Sequence, residues 1–297
     1  EFVRRMEAGK DYWNTPTFHV KQEGRIIENE LGPLVENLDN LPFPDRKLLY
    51  DSDPNMANLS GKAFFTARGC PYLCTYCFNK QYNEAYKDLG KVVRCRSPRL
   101  VVEEIEQVMS HYPLDMIHFV DDVFVLKPKG WIEEFCDLYQ TRVGVPFAGN
   151  VRPSPVKDED LRSLKAAGMS HVWMGVESGD EHAAAEVLAR HTGNDGVISA
   201  TDSYNRNGIK IATFNIMGLP VPEPFEVDLK TIDLNVRIKP TFMSSGLLYP
   251  YPGSDIRKYC EDHGYLDKDV GFLETNKRTS LLKFSSAKEK MMVENLQ

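Results

Sequence analysis

Residues 61–255 predict an α/β fold: an open, partial TIM-type barrel of six strand–helix units, (β/α)6. Three observations carry this. Short apolar runs bounded by turn signals recur from residue 61 onward, helical periodicities fill the intervals, and polar residues collect where the runs end. Apolar strands alternating with helices make a parallel sheet wound in one sense. A closed eight-fold barrel needs about 250 residues, and roughly 190 are present, so the barrel is expected to stay open. The site then belongs at the C-terminal ends of the strands.

Residues 1–60 read as an extended leader with few long periodic segments. TFHVKQEGRIIE (17–28) alternates around Glu23-Gly24 as a small hairpin, and LGPLVENLDNLPFPDRKLLY reads as a proline-rich connector. Ala63 to Arg68 is the first strand and leads directly into a cysteine-rich loop. Ser97-Pro98 starts a helix with Val101, Ile105, Val108 and Met109 on one face. Strands follow at 116–124, 145–153, 171–177, 209–218 and 241–249. Between them, helices are predicted from Trp131 to Tyr139, from Asp158 to Ala167 (stopped by Gly168), around 181–190, over 194–207, and from Phe225 to Val236. Residues 256–297 form a helical C-terminal extension that stops within a helical pattern. With Glu1 at the other end, the sequence reads as a fragment clipped at both ends.

Composition narrows the class. The formal charge of −7 does not suggest a polyanion-binding surface, so no nucleic-acid partner is expected. No run approaches the ~18 apolar residues of a membrane span, and no signal peptide opens the chain. Six cysteines could pair in a secreted protein, but three fall within eight residues. A reducing cytoplasm with a metal centre fits that clustering better than disulfides do.

Those three are Cys70, Cys74 and Cys77, in FFTARGCPYLCTYCFNK. A CxxxCxxC spacing suits three corners of a four-iron, four-sulfur (4Fe–4S) cluster and leaves one iron open for chemistry. Structural zinc is an alternative, but Cys95, Cys136 and Cys260 stand alone and offer no second pair. Ferredoxin-type ligation would need CxxCxxC and a fourth cysteine nearby. Cys136 reads as a packing residue, as do Trp131 and Trp173, and His118 and His171 as strand-face residues. Arg94, Arg96 and Arg99 read as a solvated helix mouth, with an anion-greeting patch as the alternative.

Cys70-Pro-Tyr-Leu-Cys74-Thr-Tyr76-Cys77, placed straight after the first strand, resembles the radical S-adenosylmethionine (radical SAM) enzymes, marked by CxxxCxΦC with Φ aromatic. The resemblance spans residues 61–255. It implies that the amino and carboxylate groups of S-adenosylmethionine bind the open iron, and that reductive cleavage yields a 5′-deoxyadenosyl radical. Tyr76 and Phe78 flank the third cysteine. Asp121 and Asp122 stand where the family often has Gly-Gly-Glu, so a carboxylate would receive the methionyl ammonium; a strand-end turn is the alternative. Glu177 matches a polar position near the ribose and methionyl group. Arg152 suits the methionyl carboxylate, or a structural salt bridge. Ile216–Pro220 resembles the stretch beside the adenine, where Gly218 would permit close backbone approach. No general acid or base is identified.

LPFPDR, within residues 38–46, resembles the phrase that joins an upstream cobalamin-binding domain to the barrel in one branch of the family, and YPYPGSDI (249–256) suits that branch too. A plain proline-rich connector is the alternative. Residues 1–60 would then include the tail of a cobalamin domain lying outside this sequence. The implied activity is methylation of an unactivated carbon in a small-molecule or natural-product-like substrate, with ring closure as a variant. Flavodoxin or ferredoxin would be the electron donor. A methylthiotransferase, or a non-catalytic iron–sulfur or zinc module, are the alternatives.

Overall fold

The computed structural model describes residues 1–271 and 279–297. Six strands build the central sheet: Gly61–Phe64 (β1), Met116–Phe119 (β2), Phe147–Val151 (β3), Met169–Glu177 (β4), Lys210–Met217 (β5) and Phe242–Leu247 (β6). They lie side by side in chain order, and every neighbouring pair is parallel. Among the described residues β1 and β6 do not pair, so the barrel is open as expected.

Each crossover carries a helix, and apart from Phe78–Ala85, which the sequence reading did not predict, those named below lie where the periodicity asks for them. Phe78–Ala85 (α1) and Pro98–Met109 (α2) lie between β1 and β2, Trp131–Arg142 (α3) before β3, and Asp158–Ala166 (α4) before β4. Asn194–Arg206 (α5) precedes β5 and Pro224–Ile238 (α6) precedes β6. Ser97 caps α2 by accepting from Leu100 N, with Pro98 in the first turn, where its missing N–H costs nothing.

Alternation along β4 defines the two faces of the sheet. Val172, Met174 and Val176 are buried in the main core against the helices. His171, Trp173, Gly175 and Glu177 therefore point to the concave side, the lumen. Phe119 stacks on Phe124, and Phe119, Phe135, Tyr139 and Phe147 interlock edge-to-face beneath β2 and β3, which fixes the strand ends from below.

Four sequence readings change. The predicted strand over 63–68 breaks after Phe64, because the Thr66 and Ala67 N–H groups donate to the Asp121 carboxylate instead of a strand partner. Ala67–Arg68 pairs antiparallel with Arg94–Cys95. The helix expected around 181–190 is a single π-type turn, Ala183–Val187. The connector holds two short helices, Arg46–Ser52 and Pro54–Asn58, and it is clamped to the barrel. Arg46 meets buried Glu104 at 2.8 Å, and Arg96 meets the other oxygen of the same carboxylate. Arg96 and buried Arg94, which donates to Val35 O at 2.9 Å, are thus structural rather than a solvated patch. Glu104, a single 2%-exposed carboxylate, receives both guanidinium groups.

C-terminal to the sheet, Ala287–Glu294 places Val293 against Met217 and Leu247. Among the described residues no helix is long and apolar enough to cross a membrane.

Candidate active site

The cysteine loop leaves the end of β1 through Gly69, which has φ +89°; a Cβ there would meet Val92 O at 2.2 Å. Only glycine fits that turn. The loop is then tied down from several sides. Asn83 Nδ2 donates to Cys70 O at 2.9 Å, Thr75 N and Oγ1 donate to Leu188 O and Val187 O, and Ile256 N donates to Thr75 O at 3.0 Å. Lys80, one turn into α1, pairs with Asp255. Cys77 is the N-cap of α1, so the positive end of that helix lies at its sulfur.

All three thiols are free; Cys70 and Cys74 are buried and Cys77 is half-buried. Burial pushes the Cys70 thiol up to about 11 and raises Cys77 as well. Such thiols keep their protons until a metal displaces them. Two donors already address the sulfurs. Arg152 Nη1 donates to Cys74 Sγ at 3.0 Å while its guanidinium lies 3.8 Å above the Tyr72 ring. Asn79 Nδ2 donates to Cys77 Sγ at 3.5 Å and to Asp122 Oδ1 at 2.9 Å. Among the described residues no three His, Cys, Asp or Glu side chains converge on a single ion. A cluster makes no such demand, because each thiolate takes a different iron. Soft thiolates with N–H donors on the sulfurs fit a 4Fe–4S cluster, held by Cys70, Cys74 and Cys77.

The other sequence candidates divide around this loop. On one side, Phe78 (68% exposed) and Asp122 line a cavity of about 520 Å³ with Asn79, Arg68 and Val120. On the other, Tyr76 turns toward the end of β4, where its hydroxyl meets Glu177 and accepts from Arg190 Nη1 at 3.3 Å. Glu177 has φ +69°, an uncommon conformation for a non-glycine residue, and sits 3.9 Å from Arg190. Burial raises its carboxyl against the pull of Arg190.

Asp121 and Gly218 do not join them. Asp121 accepts from Thr66 N at 2.7 Å, Ala67 N at 3.1 Å and the Thr66 hydroxyl, and pairs with Lys127 at 2.9 Å. Its carboxylate is thus committed to the backbone ahead of the loop. Gly218 has φ +68° and donates its N–H to both oxygens of buried Asp228, at 3.0 and 3.1 Å. A Cβ there would meet Val293 at 3.0 Å, so the C-terminal helix is the close neighbour of Gly218.

Sequence reasoning passed over Arg190, Asn79 and Lys127. Arg190 carried one usable signal: a lone cation closing the apolar run AAAEVLAR. Asn79 and Lys127 carried none, since the carboxylates they meet, Asp122 and Asp121, lie 43 and 6 positions away.

The family model "Radical SAM superfamily" matches residues 64–231. An uncharacterized methyltransferase of Pyrococcus horikoshii is 23% identical over 260 residues, covering 88% of this chain and 55% of that protein. The anaerobic magnesium-protoporphyrin IX monomethyl ester cyclase of Rubrivivax gelatinosus is 27% identical over 241 residues, 79% of this chain and 41% of that protein. The chain thus spans about half the length of the curated relatives it matches. Among solved structures, the radical S-adenosylmethionine methyltransferase TsrM from Kitasatospora setae superposes with TM-score 0.64 at 16% identity, over 99% of this chain and 58% of that one. The cobalamin-dependent S-adenosylmethionine radical enzyme OxsB gives TM-score 0.69 at 16% identity, over 99% of this chain and 48% of that one. A parallel half-barrel, a three-cysteine loop at the mouth of its strands and a family match over more than half its length show that this chain belongs to the radical SAM superfamily of enzymes.

Proposed function

We propose that this chain is the catalytic barrel of a radical SAM enzyme that methylates an unactivated carbon of a small molecule, with cobalamin held by residues outside the sequence. The observation that carries the reading is the cysteine loop: three free thiols, two of them already addressed by Arg152 and Asn79. When bound, a reduced cluster supplies the electron that opens the sulfonium bond of S-adenosylmethionine. The chain's own residues bind and orient. Cys70, Cys74 and Cys77 hold three irons. Asp122, exposed beside Asn79, receives the methionyl ammonium, and Arg152 faces the methionyl carboxylate. Tyr76 and Glu177, together at the end of β4, wall the nucleoside, and Phe78 borders the cavity beside Asp122. Residues 1–60 serve as the link from a cobalamin domain. Flavodoxin or ferredoxin delivers the electron, in a reducing cytoplasm.

The methyl-transfer half is supported by similarity to methyltransferases, which include the cytidylyl-2-hydroxyethylphosphonate methyltransferase of Streptomyces wedmorensis at 23% identity. Ring closure is the second reading, favoured by the cyclases at 27% and 30% identity. The protein is tested by anaerobic cluster reconstitution, reduction with dithionite, and incubation with S-adenosylmethionine and cobalamin. 5′-Deoxyadenosine is expected above a Cys70→Ala/Cys74→Ala/Cys77→Ala control. Its absence, with a full reducible cluster, contradicts the reading. S-Adenosylhomocysteine appearing with it favours methyl transfer over cyclisation.

A further inference from the structure

The lumen of a closed barrel is filled by side chains; here the lower lumen exposes aromatic rings instead. Trp173 on β4 stacks on Phe214 of β5 with centroids 4.8 Å apart, and Phe242 of β6 meets Trp173 edge-on at 5.8 Å. Phe214 is 39% exposed and Phe242 56%. In register, Trp173 lies beside Ala212, and Ala212 beside Phe242, so the two large rings meet edge-on over the small alanine and make an aromatic wall to a slot. Trp173, Ala212 and Phe242 line a cavity of about 470 Å³, within the range of small-molecule sites, with Lys165, His171 and Lys210 at its foot. No Asp or Glu lines it. Among the described residues neither lysine has an ion-pair partner.

Aromatic walls select a planar ring, and two unopposed ammonium groups select an anion. We propose that this slot binds a planar aromatic carboxylate or similar anion as the recognition element of the substrate, which rests on the reading of the barrel mouth as the radical site. The slot also sets the substrate's length. Trp173 lies four residues below Glu177 on β4, about 13 Å at ~3.3 Å per residue. A ring held there puts the reacting carbon at the far end of an elongated molecule. His171, hydrogen-bonded at Nδ1 to Ser170 Oγ at 2.9 Å, has its pKa lowered by burial and by the nearby His118 and Lys210, which disfavours a charge on its ring. The lysines therefore carry the charge recognition.

Isothermal titration calorimetry on the full chain tests the slot, with 2-naphthoate as the probe and naphthalene-2-carboxamide and cyclohexanecarboxylate as comparators. Phe242→Ala and Lys210→Glu alter exposed side chains that line the cavity, and circular dichroism checks that both variants fold. Saturable one-site naphthoate binding is expected, weakened at least fivefold in each folded variant and at least fivefold for either comparator. No saturable binding overturns the proposal, as does naphthoate binding unchanged in both variants. Carboxamide binding as tightly as naphthoate overturns the anion requirement. None of these readouts needs a reduced cluster, so the slot can fail while 5′-deoxyadenosine forms, and the reverse.

Discussion

Asp121 and Lys127 meet at 2.9 Å with side chains each 1% exposed, and the same carboxylate also holds the Thr66 and Ala67 N–H groups. Removing the acid leaves a buried ammonium and two backbone donors uncompensated. Asp121→Ala should cost about 3–5 kcal/mol, the range for breaking a buried pair from one side. Its urea midpoint should fall accordingly, while Asp122→Ala, an exposed change, leaves the unfolding free energy within about 0.5 kcal/mol of the parent. Equal losses in the two would contradict the division of labour drawn for this Asp-Asp pair. At this scale the sequence was legible where chemistry imposes a spacing. CxxxCxΦC named the three cysteines directly. Two adjacent aspartates carry no mark of which turns inward, because that depends on Thr66, 55 positions away. Arg190 was hidden for a similar reason: its contact with Tyr76 spans 114 positions.

Elements were legible by period and punctuation, and their ends less so. The six strands and the helices α2 to α6 lie where apolar spacing put them, with Pro98 and Gly168 marking a start and a stop. The first strand broke early because the Asp121 carboxylate, just past the end of β2, captured its amides, an effect no local pattern contains. The π-type turn at Ala183–Val187 likewise lies in a stretch whose composition reads as ordinary helix. Two predictions belong here. Gly69→Ala forces a Cβ to within 2.2 Å of Val92 O at φ +89°, so the cysteine loop must shift. Iron incorporation on reconstitution should drop severalfold, and parent-like iron content would refute that account of the turn. The second concerns Asp228 of α6, whose carboxyl burial lifts to about 7. An unfolded aspartate titrates near 3.9, so between roughly pH 4 and 7 the folded chain holds a proton the unfolded chain has lost. The unfolded state thus binds fewer protons, and this group's contribution to stability falls as pH rises across that window. Asp228→Asn, which keeps an acceptor for Gly218 N, should remove that part of the slope in urea titrations at successive pH values. An unchanged slope contradicts it.

At the scale of the molecule, the leader and the barrel behave as one packed object. Phe43 lies under Arg96, Arg46 lies over Phe64, and both guanidinium groups close on Glu104. Trp131 Nε1 donates to Arg96 O and Arg96 N to Thr66 O, so this clamp reaches the backbone that feeds the cysteine loop. LPFPDR was legible as a connector by its prolines; its grip on the barrel was not, because Glu104 reads as one more surface residue of an amphipathic helix. The fold class was legible because alternation of strands and helices constrains topology strongly. What the open lumen receives was not, because strand-face aromatics such as Trp173 and Phe214 look like core residues in sequence. The central claim is that Cys70, Cys74 and Cys77 bind a cluster with one iron left for S-adenosylmethionine. Iron and acid-labile sulfide analysis of anaerobically reconstituted protein, with electron paramagnetic resonance of the reduced state, tests it most directly. About four irons and four sulfides per chain are predicted, with a spectrum that changes when S-adenosylmethionine is added and a cluster lost in the triple alanine variant. Zinc without sulfide, or a reduced cluster whose spectrum ignores S-adenosylmethionine, would contradict it.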